Sequence, residues 1–299
     1  MRFAFLGYSG AVQLKGSDNA SLLLERGGEG LLVDVGGGAC GKLRELGFDP
    51  QNLAAVLITH GHIDHIYGLP SLLHQMWLLG RTKPLTILGL PAALDTAERL
   101  VELFALPEKK GMFPLEFREV APGEVYSWRD LSLRWVAMEH SVPTVGFQVL
   151  QNSQGQLFYS ADTSYCPELG PVLGPTRVVI HEAATLEEVG EATRSKGHST
   201  AADAGRCARD LAAETLYLFH FDQVYESRLA EFVREAASTF HGQLVELSER
   251  KAHGSLIQCK GAKQNHCSGR SHELRSLYQK KKKRKTPGLR GTARVGMVG

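Results

Sequence analysis

The sequence predicts an α/β fold in four layers, αββα: two sheets packed face to face, with helices on both outer faces. Three observations carry this. Strand-like segments followed by a helical stretch occur twice along the chain. Hydrophobic residues make up 43% of 299, enough to fill a sizeable core in one large domain or two small ones. Runs such as LAAVLITH are short and apolar nearly throughout, as buried strands are.

The elements follow in order. MRFAFLGYSGAVQLKG has one early Arg, and its apolar stretch is too short for a secretory leader, so it reads as a first strand. ASLLLERGGEGLLVDVGGG reads as a hairpin with a Gly-rich turn. LAAVLITH is a buried strand, PSLLHQMWLLG a helix and KPLTILG a strand. In PAALDTAERLVELFAL, Leu94, Ala97, Leu100, Val101 and Phe104 fall near helical spacing with polar residues between them, which predicts an amphipathic helix. LSLRWVAMEH, TVGFQVLQ and GQLFYSAD are strands separated by turn residues, and TRVVIHEA is another. STAADAGRCARDLAAE is an Ala-rich helix with Ser199 or Thr200 as its cap. TLYLFHF is a strand and ESRLAEFVREAASTF a last helix.

The net charge of +2 hides an asymmetry. Residues 251–299 hold 13 Lys and Arg against one acid, Glu273, while the first 250 residues hold 21 bases against 31 acids. The expected organisation is therefore one acidic domain over 1–250 and a basic tail over 251–299. The tail's charge and low apolar content predict disorder, as a nucleic-acid-binding or localisation segment or as a non-native extension. The five cysteines are odd in number and scattered, which predicts reduced thiols and a cytoplasmic protein. No apolar run approaches the roughly 18 residues of a membrane span, so no membrane partner is expected.

The chemistry concentrates in LITHGHIDHIYGLP, which packs His60, His62, Asp64 and His65 into six positions. Neutral imidazoles and carboxylates are ligands of zinc and similar ions. In an extended or tightly turning loop, His60 and His62 project to one side and share one metal, while Asp64 and His65 reach a second. A two-metal site needs further ligands at later strand ends. His140, Asp162 and His220 each stand just past an apolar run, where a core becomes a cleft. The sequence has no G-x-S-x-G elbow and no P-loop; the Gly-rich VGGGACG reads as a turn near the site.

The arrangement H-x-H-x-D-H, then a His, an Asp and a His after successive strands, resembles the metallo-β-lactamase superfamily. FLGYSGAV, LLVDVGGG, GLPSLL, HSVPTVGFQV, SADTS, HEAATLEE, GHSTAADAG and FHF fall in the order seen in ribonuclease Z, the tRNA 3′-processing endonuclease, and its phosphodiesterase relatives. The resemblance covers about residues 1–248. It implies that His60, His62 and His140 hold one metal, that Asp64, His65 and His220 hold the other, and that Asp162 bridges both. It implies that Asp34 orients the histidine loop from behind. Glu182 and His198 match the pair near the scissile phosphate, with His198 contacting a phosphoryl oxygen or protonating the leaving group. The implied reaction is attack by a metal-bridging hydroxide, with two divalent ions about 3.5–4 Å apart and Asp64 as base. Zinc is the default for the histidine-rich half, with manganese or iron as alternatives. A homodimer is implied by resemblance alone.

Several stretches depart from the family. Ribonuclease Z carries a long tRNA-clamping arm between the third histidine and the bridging aspartate; here only 22 residues separate His140 from Asp162. Gln13 stands where a Pro of the 3′-end-gripping loop is usual, and HFDQVY and HEAAT differ from H-F-S-x-R-Y and HEAT. Lys15, Lys42, Arg81 and Lys83 are the basic residues expected on the cleft side, beside an acidic body that is a poor receptor for a polyanion. The leading expectation is a phosphodiesterase acting on small or generic phosphodiesters, with RNA as a further substrate. The alternatives are an arylsulfatase, lactonase or β-lactamase of the same fold, or a non-catalytic nucleic-acid-binding protein.

Overall fold

The computed structural model describes residues 1–245, Leu247 and residues 256–259. The first half contains strands β1 (Arg2–Ser9), β2 (Asp18–Asn19), β3 (Ser21–Arg26), β4 (Glu29–Val33), β5 (Leu53–Ile58), β6 (Leu85–Gly89) and β7 (Leu115–Glu119). Its helices are α1 (Ala39–Glu45), α2 (Ile63–Ile66), α3 (Leu69–Leu78) and α4 (Pro91–Leu103). The second half contains β8 (Val125–Trp128), β9 (Leu131–Met138), β10 (Thr144–Gln151), β11 (Gln154–Tyr159), β12 (Thr176–Glu182), β13 (Thr215–Phe219) and β14 (Gln243–Val245). Its helices are α5 (Leu169–Leu173), α6 (Gly190–Ser195), α7 (Ala201–Asp210) and α8 (Leu229–Ala237), and a short strand, β15 (Ile257–Gln258), follows.

One sheet runs β15-β1-β3-β4-β5-β6-β7, with β2 on β1; the other runs β14-β13-β12-β11-β10-β9-β8. The side chains of the first sheet alternate between two cores. Leu22, Leu24, Leu31, Val33 and Leu57 join the core shared with the second sheet, while Leu23, Leu32, Val56 and Ile58 pack under the first-half helices. Both faces are covered, so the strands read as continuous apolar runs. Ala201, Ala204, Cys207 and Ala208 of α7 and Phe232 of α8 join the core of the second sheet. The expected αββα order is the one observed.

Turn chemistry agrees with the sequence. Gly27 and Gly28, both at positive φ (60° and 81°), make the two-residue turn between β3 and β4. Asn152 and Ser153, at φ 50° and 63°, make another between β10 and β11. The β10–β11 connection is thus two residues long and holds no arm. Thr200 caps α7 in a full capping box with Asp203.

The expected domain boundary at residue 250 falls short of one strand. Ile257–Gln258 pairs antiparallel with Arg2–Phe3, the Cys259 amide donates to the Met1 carbonyl at 3.0 Å, and Ile257 packs against the core. Ile257 is a lone apolar strand residue inside a stretch whose average is dominated by lysine and arginine. The rest of the basic tail lies outside the described residues.

Candidate metal centre

Within one sheet β1, β4 and β5 run in the same direction, within the other β9, β11, β12 and β13 do, and a bridge from Ser9 to Phe221 brings the C-terminal ends of β1 and β13 together. The predicted ligands stand just past C-terminal strand ends. His60 and His62 follow β5, Asp64 and His65 lie on α2, His140 follows β9, Asp162 follows β11 and His220 follows β13. Asp34, Ala161 and His220 adopt positive φ (57°, 52° and 65°), a conformation of order 1–3 kcal/mol above the relaxed backbone and typical of chains bent to serve a site. The turn after β4 is built for close approach: a Cβ on Gly36 would lie 2.1 Å from the Asp64 carbonyl oxygen. The Val35 amide donates to the His65 carbonyl at 2.8 Å, tying that turn to α2.

Two sets of donor atoms converge. His62 Nδ1 lies 3.1 Å from both His60 Nε2 and His140 Nε2. Three ligands at 2.0–2.1 Å around a tetrahedral ion stand about 3.3 Å apart, so this spacing fits zinc. In the second set, His65 Nε2 and His220 Nε2 are 3.4 Å apart, and each lies 3.5 Å from Asp64 Oδ2. Asp162 Oδ2 joins the sets, at 3.7 and 3.9 Å from His60 and His140 and 3.4 and 3.2 Å from His65 and His220. Asp162 Oδ1 is buried without a protein hydrogen bond among the described residues, so it too has capacity for a ligand. The residues fit two divalent ions sharing one carboxylate.

The electrostatics of the cluster are strongly interdependent. Burial alone would raise the Asp162 carboxyl, but His220 and His65 hold it well below the usual carboxylate range. Burial alone would lower His65, but Asp162 and Asp34 push it well above the ordinary imidazole value. His60, buried beside His65, falls well below that value.

Behind the candidate ligands, His65 and His140 each present one nitrogen to the centre and commit the other. His65 Nδ1 donates to Asp34 at 2.8 Å and His140 Nδ1 to the Gly197 carbonyl at 2.7 Å. Asp34 stands where the sequence suggested, behind the histidine loop. Gly197 was not legible, because its contribution is a backbone oxygen 57 residues from His140 in the chain. Thr59, whose hydroxyl lies 3.1 Å from His60 Nδ1, was also missed, and its one signal was a polar residue ending an apolar strand.

His198 and Glu182 meet as expected: His198 Nδ1 donates to Glu182 Oε1 at 2.9 Å. Glu182 itself does not reach the cleft. It is fully buried; Oε1 also accepts from the Thr163 amide (2.8 Å), and Oε2 accepts from the amides of Ala184 and Ser199 (3.2 Å each). It holds His198, which alone of the pair is open to solvent, at 24% side-chain exposure. Burial would lower His198, but Glu182 raises it to about 9, so its outward Nε2 carries a proton at neutral pH. His181 is a buried structural residue donating to the Glu182 carbonyl at 2.7 Å.

Two of the basic residues expected on the cleft side are engaged elsewhere. Arg81 is buried, and its guanidinium donates to the carbonyls of Lys83, Gln51, Leu53 and Pro84. Lys42 pairs with Glu45 at 3.7 Å on α1. Among the described residues, no helix is long and apolar enough to cross a membrane.

Comparison with known proteins agrees with this geometry. A family model described as the beta-lactamase superfamily domain matches residues 31–221. Ribonuclease Z of Pseudomonas putida is 31% identical, over 82% of this chain and 93% of that protein. Ribonuclease Z of Methanosarcina acetivorans is 23% identical, over 82% of this chain and 95% of that protein. Among solved structures, the metallo-beta-lactamase fold protein YhfI from Bacillus subtilis superposes with a TM-score of 0.69 at 23% identity, over 81% of this chain and 94% of its own. The short form of human tRNase Z gives 0.67 at 23% identity, over 75% of this chain and 94% of its own.

Proposed function

We propose that this chain, which belongs to the metallo-β-lactamase superfamily in its ribonuclease Z-like branch, is a dinuclear metal-dependent phosphodiesterase. The observation that carries the reading is the meeting of two donor sets at one carboxylate oxygen, Asp162 Oδ2. His60, His62, His140 and Asp162 would hold one divalent ion, and Asp64, His65, His220 and Asp162 the other. When bound, such a pair lowers the pKa of a water towards neutrality and polarises the phosphoryl oxygen.

The chain's own residues do the rest. The Asp64 carboxylate, nearly buried at the rim of the second set, accepts the proton of the attacking water. His198 presents Nε2–H to a phosphoryl oxygen or to the departing oxygen, and its proton leaves with the alcohol. Glu182 keeps Nδ1 occupied, so only Nε2 can act. No serine or cysteine nucleophile is required.

Short phosphodiesters are favoured as substrates over tRNA. The β10–β11 turn has two residues, Arg81 is spent on backbone carbonyls, and the first 250 residues carry ten more acids than bases. Zinc is our reading for the three-histidine half, with manganese or iron at the half containing Asp64. A homodimer, and RNA as a further substrate, follow from the family resemblance alone, and a cytoplasmic location from the scattered cysteines and the strand read at the N-terminus. The test is a substrate panel on the metal-loaded protein: bis(p-nitrophenyl) phosphate, a sulfate ester, a lactone and a β-lactam. Phosphodiester turnover well above the rest is expected. Turnover of another class alone would transfer the function to that class.

A further inference from the structure

We propose that the Thr59 hydroxyl is a positioning group through which the single carboxylate of Asp34 holds one histidine in each half of the centre. This rests on the dinuclear reading above. Asp34 Oδ2 accepts from His65 Nδ1 and from Thr59 Oγ1, both at 2.8 Å, while Oδ1 accepts the Thr59 amide at 2.8 Å. Thr59 Oγ1 also lies 3.1 Å from His60 Nδ1.

Donor and acceptor inventory fixes the direction of these bonds. A carboxylate only accepts, so the hydroxyl proton of Thr59 points to Asp34, and a lone pair is left for His60. His60 must then donate from Nδ1, which leaves Nε2 as its lone-pair nitrogen. Nε2 is the atom that faces His62 and Asp162. His65 is set the same way, in one step. Asp34, Thr59, His60 and His65 are all fully buried, so bulk water does not compete for these bonds. The two histidines belong to different donor sets. One carboxylate therefore sets a tautomer in each, and the hydroxyl is what extends its reach to the second. Thr59→Val keeps the shape and β-branching but removes the relay; His60 then gains nothing from carrying its proton on Nδ1. Thr59→Ser keeps the relay.

The test is zinc titration of the full chain by calorimetry, comparing wild type, T59V, T59S and D34N, with histidine tautomers read from long-range ¹H–¹⁵N NMR. Wild type is expected to bind two ions with His60 protonated at Nδ1. T59V is expected to lose about 10–100-fold in affinity for one ion and to keep the other, the usual scale for removing a ligand's supporting hydrogen bond. T59S should stay within a few-fold of wild type, and D34N should weaken both ions. Equal weakening of both ions in T59V, or wild-type affinities in T59V, would overturn the relay. So would His60 protonated at Nε2 in wild type, a readout that does not depend on the variants folding. A wild-type chain that binds no ion would instead overturn the dinuclear reading on which the inference rests.

Discussion

Glu182→Gln is nearly isosteric, yet its consequence can be worked out from four hydrogen bonds. Each carboxylate oxygen accepts two N–H groups: Oε1 those of Thr163 and His198, Oε2 those of Ala184 and Ser199. A carboxamide has one oxygen and one NH₂. With the NH₂ towards Ala184 and Ser199 two buried bonds are lost; turned towards Thr163 and His198 one is lost, because a neutral imidazole accepts at Nδ1. A buried donor left unsatisfied costs about 1–3 kcal/mol, so E182Q should be about 1–6 kcal/mol less stable than wild type, a large fraction of a typical folding free energy. His198 also loses the charge that keeps it protonated and turned outward. Removing a positioned proton donor typically costs 10²–10⁴-fold, and kcat should fall by about that much. The two metals should remain, because Glu182 is in neither donor set. The assays are urea unfolding, metal content and steady-state kinetics on a phosphodiester. Stability within about 0.5 kcal/mol of wild type would refute the hydrogen-bond reasoning, since changes that small are typical of surface sites. Full destabilisation with unchanged kcat would refute the role assigned to His198.

Two other perturbations probe different parts of the account. Arg81→Met removes a guanidinium from four backbone carbonyls and should lower stability by about 2–4 kcal/mol while leaving KM for a small phosphodiester unchanged; a raised KM would return Arg81 to substrate binding. In the metal-free chain Asp162 and Asp34 push His65 well above the ordinary imidazole value, so an incoming ion competes with a proton there. Metal affinity should therefore rise with pH. Calorimetry in buffers of different ionisation enthalpy should report release of about one proton per chain, and identical heats in all buffers would contradict this.

The sequence disclosed the ligands more fully than their supports, for a physical reason. A ligand is a side chain of a recognisable type at a strand end, so His60 to His65, His140, Asp162 and His220 could be read one by one. A support is a relation between residues. The Gly197 carbonyl could not be read as the partner of His140, nor Thr59 as the link from Asp34 to His60, without knowing what packs on what. Glu182 was paired with His198 by resemblance; that it is buried and accepts from four donors, as an anchor does, was not legible. In the fold, long apolar segments were legible. The short helices α1, α5 and α6 span at most two turns, too few to leave a periodic signal. β15 was hidden because its one apolar residue, Ile257, cannot outweigh a surrounding excess of lysine and arginine.

The central claim is that two ions act together across Asp162, and stepwise metal reconstitution tests it most directly. Metal-free protein is titrated with zinc while turnover of bis(p-nitrophenyl) phosphate is followed. The account predicts binding of two ions per chain, with turnover appearing chiefly as the second is added. Full turnover at one ion per chain, or none with two bound, would contradict it.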